Sequence, residues 1–179
     1  MKTPGERLFF ALWPDDAIRQ QLVDAYARIP GLKGQRDVLP NNLHVTLHFL
    51  GNIEASRVDC FRRQAEVISA HRFQLQLDRF GYFKKARVLW LGCEQLPDEL
   101  IQLHANLGAS IQACDFQPEL RPFHPHVTLA RKLRHAPQFV PVKPIVWNLD
   151  KFVLIQSFTH AEGVEYRVKQ SFPLLEKAP

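Results

Sequence analysis

Four side chains of this 179-residue chain combine types and spacing suited to acid–base chemistry on an ester. The tetrapeptide His44-Val45-Thr46-Leu47 recurs letter for letter as His126-Val127-Thr128-Leu129. Both copies alternate polar with apolar residues, the period of a strand buried on one face. Val45, Leu47 and Phe49 are expected to point into a core. His44, Thr46 and His48 are expected on the opposite face, as are His126 and Thr128 in the second copy. Imidazole titrates near neutrality, so a pair of histidines can hold one proton and lack another at pH 7. One then takes a proton from attacking water while the other protonates a departing alkoxide, the division of labour that phosphodiester hydrolysis or formation needs. The Thr46 and Thr128 hydroxyls are neutral donors suited to the non-bridging oxygens of a phosphate held between the strands. The scheme calls for no metal and no cofactor.

Three rival readings use the same residues. Exposed strands carry His and Thr with no catalytic task, Thr for its β propensity, and a single His-x-Thr means no more than that. Its exact duplication on two strand-like segments argues against this reading. His44, His48, His124 and His126 form two pairs at strand spacing that would suit zinc. Against zinc, neither motif has a neighbouring carboxylate or cysteine ligand, and threonine occupies the matching face. A serine hydrolase would need a Gly-x-Ser-x-Gly elbow, which the sequence lacks.

The chain as a whole supports a phosphate-bearing partner. Hydrophobic residues make up 46% and charged residues 23%, the balance of a soluble globular protein. Its net charge of +5 favours polyanions through long-range attraction. No apolar run approaches the roughly 20 residues that span a bilayer. The apolar stretch from Leu8 to Trp13 is closed by Pro14-Asp15-Asp16 before it could act as a secretory core, so a cytoplasmic location is expected. Cys60, Cys93 and Cys114 are dispersed and odd in number, which argues against a disulfide framework and against structural zinc.

The elements that must position the motifs follow from periodicity. Strands are expected over Glu6–Trp13, around each motif, over Phe73–Phe80 with Val88–Leu91 as its hairpin partner, over Ile145–Ser157, and over Val164–Phe172. Gly81 marks the hairpin turn, and Phe83, Lys84, Lys85 and Arg87 form a basic, aromatic-flanked tip. Three amphipathic helices are expected over Asp16–Ile29, Glu54–Ala70 and Pro97–Cys114. Lys33, Gly34 and Arg36 fall in a loop before the first motif. Pro125 should mark the start of the second motif strand, because proline cannot donate to a ladder. The sum is an α+β protein, one domain over 1–179 built from two pseudo-symmetric lobes with one motif in each.

At these residues the sequence resembles the two-histidine (2H) phosphoesterase superfamily, and within it the bacterial RNA 2′,3′-cyclic phosphodiesterases, historically called 2′-5′ RNA ligases. Arg7-Leu8-Phe9-Phe10-Ala11, Asn42-Leu43-His44-Val45-Thr46-Leu47 with Phe49-Leu50-Gly51, Arg87 to Gly92, and Arg121-Pro122-Phe123-His124-Pro125-His126-Val127-Thr128-Leu129 carry the likeness. The resemblance implies a bilobed α+β fold of two antiparallel sheets facing a central cleft, helices outside, with one motif on each sheet. It also implies hydrolysis of RNA 2′,3′-cyclic ends to 2′-phosphomonoesters, with reversible 2′-5′ ligation open to the same groups. His44 is then the proton donor and His126 the acceptor, although the identical motifs leave that direction open from sequence alone. Arg131 matches a basic, phosphate-binding position, but strand parity puts it opposite His126 unless the strand bulges or ends first. RNA ends, tRNA fragments among them, or nucleotide cyclic phosphates are the implied partners of a monomer that binds no membrane. A non-catalytic RNA-binding accessory protein and a phosphodiesterase for a small cyclic nucleotide are the alternatives.

Overall fold

The alternating and helical periods become the elements of an α+β protein in the computed structural model, which describes residues 5–32, 37–161 and 163–176. Lys33, Gly34 and Arg36 lie outside the described residues. In chain order the elements are β1 (Glu6–Leu12), α1 (Asp16–Ala27), β2 (Val45–Ile53), α2 (Ala55–Glu66), β3 (Phe73–Leu77), β4 (Arg79–Phe83) and β5 (Val88–Gly92). There follow α3 (Asp98–Ile111), β6 (His126–Ala130), β7 (Ile145–Leu149), β8 (Lys151–His160) and β9 (Gly163–Pro173). Helix α1 starts where the acidic residues place it: the Asp15 carboxylate accepts from the Ile18 N–H at 2.8 Å, satisfying one of the orphan donors of the first turn. Among the described residues no helix is long and apolar enough to cross a membrane.

A seven-stranded sheet runs in the order β4-β5-β6-β2-β1-β8-β9, and β3 pairs with β7 in a separate two-stranded sheet. One core cluster joins Leu8, Phe10, Leu12, Val45 and Val127 to Leu22, Phe61, Leu103 and Leu107 of the three helices. A smaller cluster of Phe9, Ala11, Val153 and Ile155 uses the alternate residues of β1 and β8. One face of the large sheet therefore supports the helices, and the other is left for chemistry.

The strands depart from the expected arrangement in two places. The two motifs do not lie on separate facing sheets: β2 and β6 are neighbours in one sheet, antiparallel, with Val45 opposite Val127. Each motif strand pairs over more residues with its other neighbour, β1 for β2 and β5 for β6. The run 73–80 also splits into two strands. The Asp78 carboxylate accepts from the Glu94 N–H at 2.9 Å and the Asp78 N–H donates to Gly92 O at 2.9 Å, which turns the chain from β3 into β4. Gly81 is thus not the hairpin turn but a residue inside β4. A Cβ there would sit 2.0 Å from the Trp90 ring, so only glycine leaves that indole its place.

The cysteine reading is also corrected. Cys60 of α2 and Cys114, in the 3₁₀ turn after α3, form a disulfide with their Cα atoms 5.8 Å apart. Packing of α2 against the end of α3 brings together two residues 54 positions apart, and no spacing rule in the sequence shows that. Cys93 remains a free thiol.

Candidate active site

The two HVTL copies fold alike down to their irregularities. Thr46 lies opposite Ala11 on β1 and His48 opposite Phe10, so Leu47 is an extra, bulged residue. Thr128 lies opposite Trp90 on β5 and Ala130 opposite Leu89, so Leu129 is bulged at the same motif position. The bulged Leu129 carbonyl finds a partner outside the ladder, accepting from the Val38 N–H at 2.9 Å.

Each bulge turns the residues that follow it onto the other face, which settles three expectations. Arg131 is brought to the motif face and lines the same recess as His44 and Thr46, the condition that strand parity demanded. His48 goes the other way. It is buried against α3, its ring stacked on His104 at 4.1 Å and its Nε2–H donating to His104 O at 2.8 Å. Its buried ring forms part of the wall of the recess that His124 and His126 also line, and no group of three or more potential metal ligands assembles among the described residues. Phe49 leaves the core for the cleft and is 49% exposed. The sequence pattern gave no sign of that reversal, since its cause is an unpaired leucine that matches the apolar period.

The antiparallel pairing at Val45 and Val127 gives the motifs a local two-fold relation. It sets Thr46 toward His126 and His44 toward Thr128 on one face of the sheet. Backbone carbonyls fix the tautomer of both rings. His44 Nδ1 lies 2.7 Å from Asn42 O, and His126 Nδ1 lies 2.7 Å from His124 O. A carbonyl only accepts, so each Nδ1 carries hydrogen and each Nε2 is the reactive nitrogen. His44 Nε2 accepts from the Thr46 hydroxyl at 3.0 Å. Asn42 is itself tied down, its side-chain amide donating to Val164 O at 2.6 Å.

Rings wall in both imidazoles. Phe9 and Tyr166 lie 4.9 and 5.3 Å from His44, with Trp13 stacked beyond at 6.0 Å. Phe83 and Trp90 lie 5.1 and 6.1 Å from His126. Phe83 thus belongs to the site, while Lys84, Lys85 and Arg87 stay exposed at the hairpin tip. Burial is the main cause that pushes the His44 pKa down to about 4, and the Arg131 and His126 charges push the same way. The His126 pKa is lowered too, again chiefly by burial, with His124 and Arg131 adding to it. Both rings are therefore held neutral in the absence of substrate, ready to gain from an anion that arrives between them.

Two recesses meet at Thr46 and Phe49. One of about 380 Å³ is lined by Arg7, His44, Arg131, Ser157 and Tyr166 among others. The other, about 360 Å³, is lined by Phe83, His104, Phe123, His124 and His126 among others. Trp13, Tyr166 and His104 belong to no repeated motif, so the sequence does not mark them as residues of the site. Arg7 alone had a sequence signal, as part of the first-strand segment that carries the family likeness.

A single open sheet face presenting two His-x-Thr motifs about a local two-fold defines a phosphoesterase of the two-histidine class. The family model of the 2′-5′ RNA ligase superfamily matches residues 14–160. The RNA 2′,3′-cyclic phosphodiesterase of Escherichia coli (strain K12) is 37% identical over 143 residues, 80% of each chain. That of Archaeoglobus fulgidus is 28% identical over 176 residues, 97% of this chain and 94% of its own. The crystal structure of E. coli LigT in apo form superposes with a TM-score of 0.87 at 32% identity, covering 96% of this chain and 99% of that one. The chain belongs to the 2′-5′ RNA ligase superfamily, and it is an enzyme.

Proposed function

We propose that the protein hydrolyses the 2′,3′-cyclic phosphate at an RNA end to a 2′-phosphomonoester, using His44 as proton donor and His126 as acceptor. The observation that carries this reading is the matched tautomer: both Nδ1 atoms are spent on carbonyls, leaving two Nε2 atoms on one sheet face. The phosphate sits between them, its non-bridging oxygens met by the Thr46 and Thr128 hydroxyls and the Arg131 guanidinium. His126 Nε2 takes a proton as a water oxygen attacks phosphorus. The bond from phosphorus to the 3′ oxygen breaks, and the protonated His44 Nε2 gives its proton to that oxygen. One water is consumed and the two rings exchange protonation states, to be reset through solvent. With a 5′-hydroxyl end in place of water the same step makes a 2′-5′ linkage, and run backwards it cleaves one to the 2′,3′-cyclic phosphate and a 5′-hydroxyl. In this reading the chain is one domain whose two halves, β2 with its β1 side and β6 with its β5 side, each contribute one His and one Thr.

Incubation with an RNA ending in a 2′,3′-cyclic phosphate is expected to give a 2′-phosphate end, with turnover persisting in EDTA. A 3′-phosphate product would reverse the roles of the two histidines, and unchanged RNA would sink the proposal.

The lowered histidine pKa values give a second expectation. The step needs one imidazole protonated and the other neutral, and the product of those two fractions peaks midway between the two pKa values. Both lie below the ordinary 6.5 without substrate. The profile of kcat/KM, which reports the free enzyme, is therefore expected to be a bell with its maximum below pH 6.5. The kcat profile shifts to higher pH, because the bound phosphodiester anion favours imidazolium. An optimum of kcat/KM above pH 7 would contradict the assignment.

A further inference from the structure

We propose that the exposed cations of the β4–β5 hairpin tip and of the segment after β6 dock the RNA strand whose 5′-hydroxyl takes the place of water, a role that rests on the histidine assignment proposed above. Lys84, Lys85 and Arg87 stand at the tip, Lys132 and Arg134 follow β6, and all five are exposed. None of the five has an ion-pair partner among the described residues. The neighbouring carboxylate is that of Asp37, which bridges to Ala130 and accepts from the Tyr26 hydroxyl. The two basic segments are held as one surface. The Leu133 N–H donates to Arg87 O at 3.1 Å, and Leu133 is buried between the exposed Lys132 and Arg134. Arg87 and Lys132 have φ of 54° and 55°. That left-handed backbone favours glycine or asparagine, yet each place holds a long cation.

Strand order decides which side of the phosphate this surface serves. Outward from His126 on β6 lie β5 and β4, whereas outward from His44, immediately before β2, lie β1, β8 and β9. Phe83, the residue before Lys84, stands edge-on to the His126 ring at 5.1 Å. In-line displacement puts the attacking and departing oxygens on opposite sides of phosphorus. With His126 as the base, the attacking oxygen enters on the β5 side, and the ribose that carries the cyclic phosphate lies on the His44 side. Water needs no further surface there. A 5′-hydroxyl arrives with a polyanionic strand behind it, and a cluster of lysine and arginine side chains complements its phosphates, gaining affinity by counterion release. Cutting and joining of 2′-5′ linkages thus have a binding surface of their own, one that hydrolysis of the cyclic end does not use.

The test compares a 2′-5′-linked dinucleoside monophosphate with RNA in which the same linkage is followed, on its 5′-oxygen side, by a tail of further nucleotides. Wild-type enzyme is expected to cleave the tailed RNA more efficiently at low salt. Raising salt from about 50 to about 200 mM should cost the tailed RNA at least several-fold and up to roughly fifty-fold more in kcat/KM than the dinucleotide, the upper value being that for about four phosphate contacts to a single strand. Lys84→Gln/Lys85→Gln/Lys132→Gln/Arg134→Gln should abolish both the tail advantage and this salt difference. Hydrolysis of a nucleoside 2′,3′-cyclic phosphate should keep its wild-type rate, and RNA tailed instead on the 2′ side of the linkage should be cut alike by wild type and variant. A variant that keeps the tail advantage, loses the effect of the 2′-side tail instead, or loses cyclic phosphate hydrolysis in equal proportion overturns the docking role. So does wild-type enzyme that hydrolyses the cyclic phosphate but cuts no 2′-5′ linkage, or cuts tailed and untailed ones alike. Wild-type enzyme that leaves the cyclic phosphate intact removes the proposed hydrolysis itself, so the two failures are told apart.

Discussion

Replacing either motif histidine by alanine is expected to lower kcat by about 10²–10⁴-fold while the protein still folds. Folding should survive because the neighbouring anchors, Val45 and Val127, are fully buried on the other face and keep their places. His126 gives up one hydrogen bond to a carbonyl at the cleft edge, and His44 gives up its carbonyl bond and the one from the Thr46 hydroxyl, each worth about 1 kcal/mol net. The double variant should lose little more than the worse single variant, since in the proposed mechanism both groups serve one concerted transfer and the phosphate contacts of Thr46, Thr128 and Arg131 remain. Rates on a nucleoside cyclic phosphate, with thermal melts as a fold control, give the magnitude. A phosphodiester with a nitrophenolate leaving group assigns the roles, because that oxygen departs without a proton. His44→Ala is expected to recover on it and His126→Ala is not. Full turnover by either variant on the cyclic substrate would remove the two-histidine mechanism.

Much of this site was readable from letters alone because its chemistry is written twice. His44, Thr46, His126 and Thr128 face one side as their alternation requires, and Pro125 does mark the start of β6. Where the letters misled, an interaction distant in sequence had replaced a local rule. The bulge at Leu47 places an apolar residue at an apolar position of the period, so nothing in the pattern marks it. What it accommodates is the His48 ring seated against His104 of α3, more than fifty positions away. The same holds for Gly81, read as a turn but required by the Trp90 ring stacked on it. The joining of β2 to β6 depends on which edges remain free after β1 and β5 have paired, and a single strand's periodicity carries no information about edges. The helices were better determined, since a buried stripe and an acidic start are both local. Their ends ran short of expectation at Ala27 and Glu66, where the apolar stripe continues into turns.

Loss of the Cys60–Cys114 disulfide is expected to destabilise the protein by up to about 4 kcal/mol, the chain-entropy value for closing a loop of this length. The bond ties α2 to the turn that begins segment 115–125, and that segment carries Phe116, Phe123 and the His124 carbonyl into the second recess. Some of this anchorage does not depend on sulfur. The Arg57 guanidinium donates to Cys114 O and, at 3.2 Å, to Asp115 O, and Phe116 packs edge-on against Phe61 at 5.9 Å. The measured loss should therefore fall below the entropic figure. Urea titration of oxidised and reduced wild-type protein, and of the Cys60→Ala/Cys114→Ala variant, separates the contributions. The reduced protein and the double variant should unfold at similar midpoints, one to a few molar below the oxidised protein for an ordinary urea slope. Coincident midpoints with and without reductant would mean that the bond contributes nothing to folding. Thiols are held reduced in most cytosols, so in such a compartment Arg57 and the Phe61–Phe116 contact must hold the recess wall by themselves.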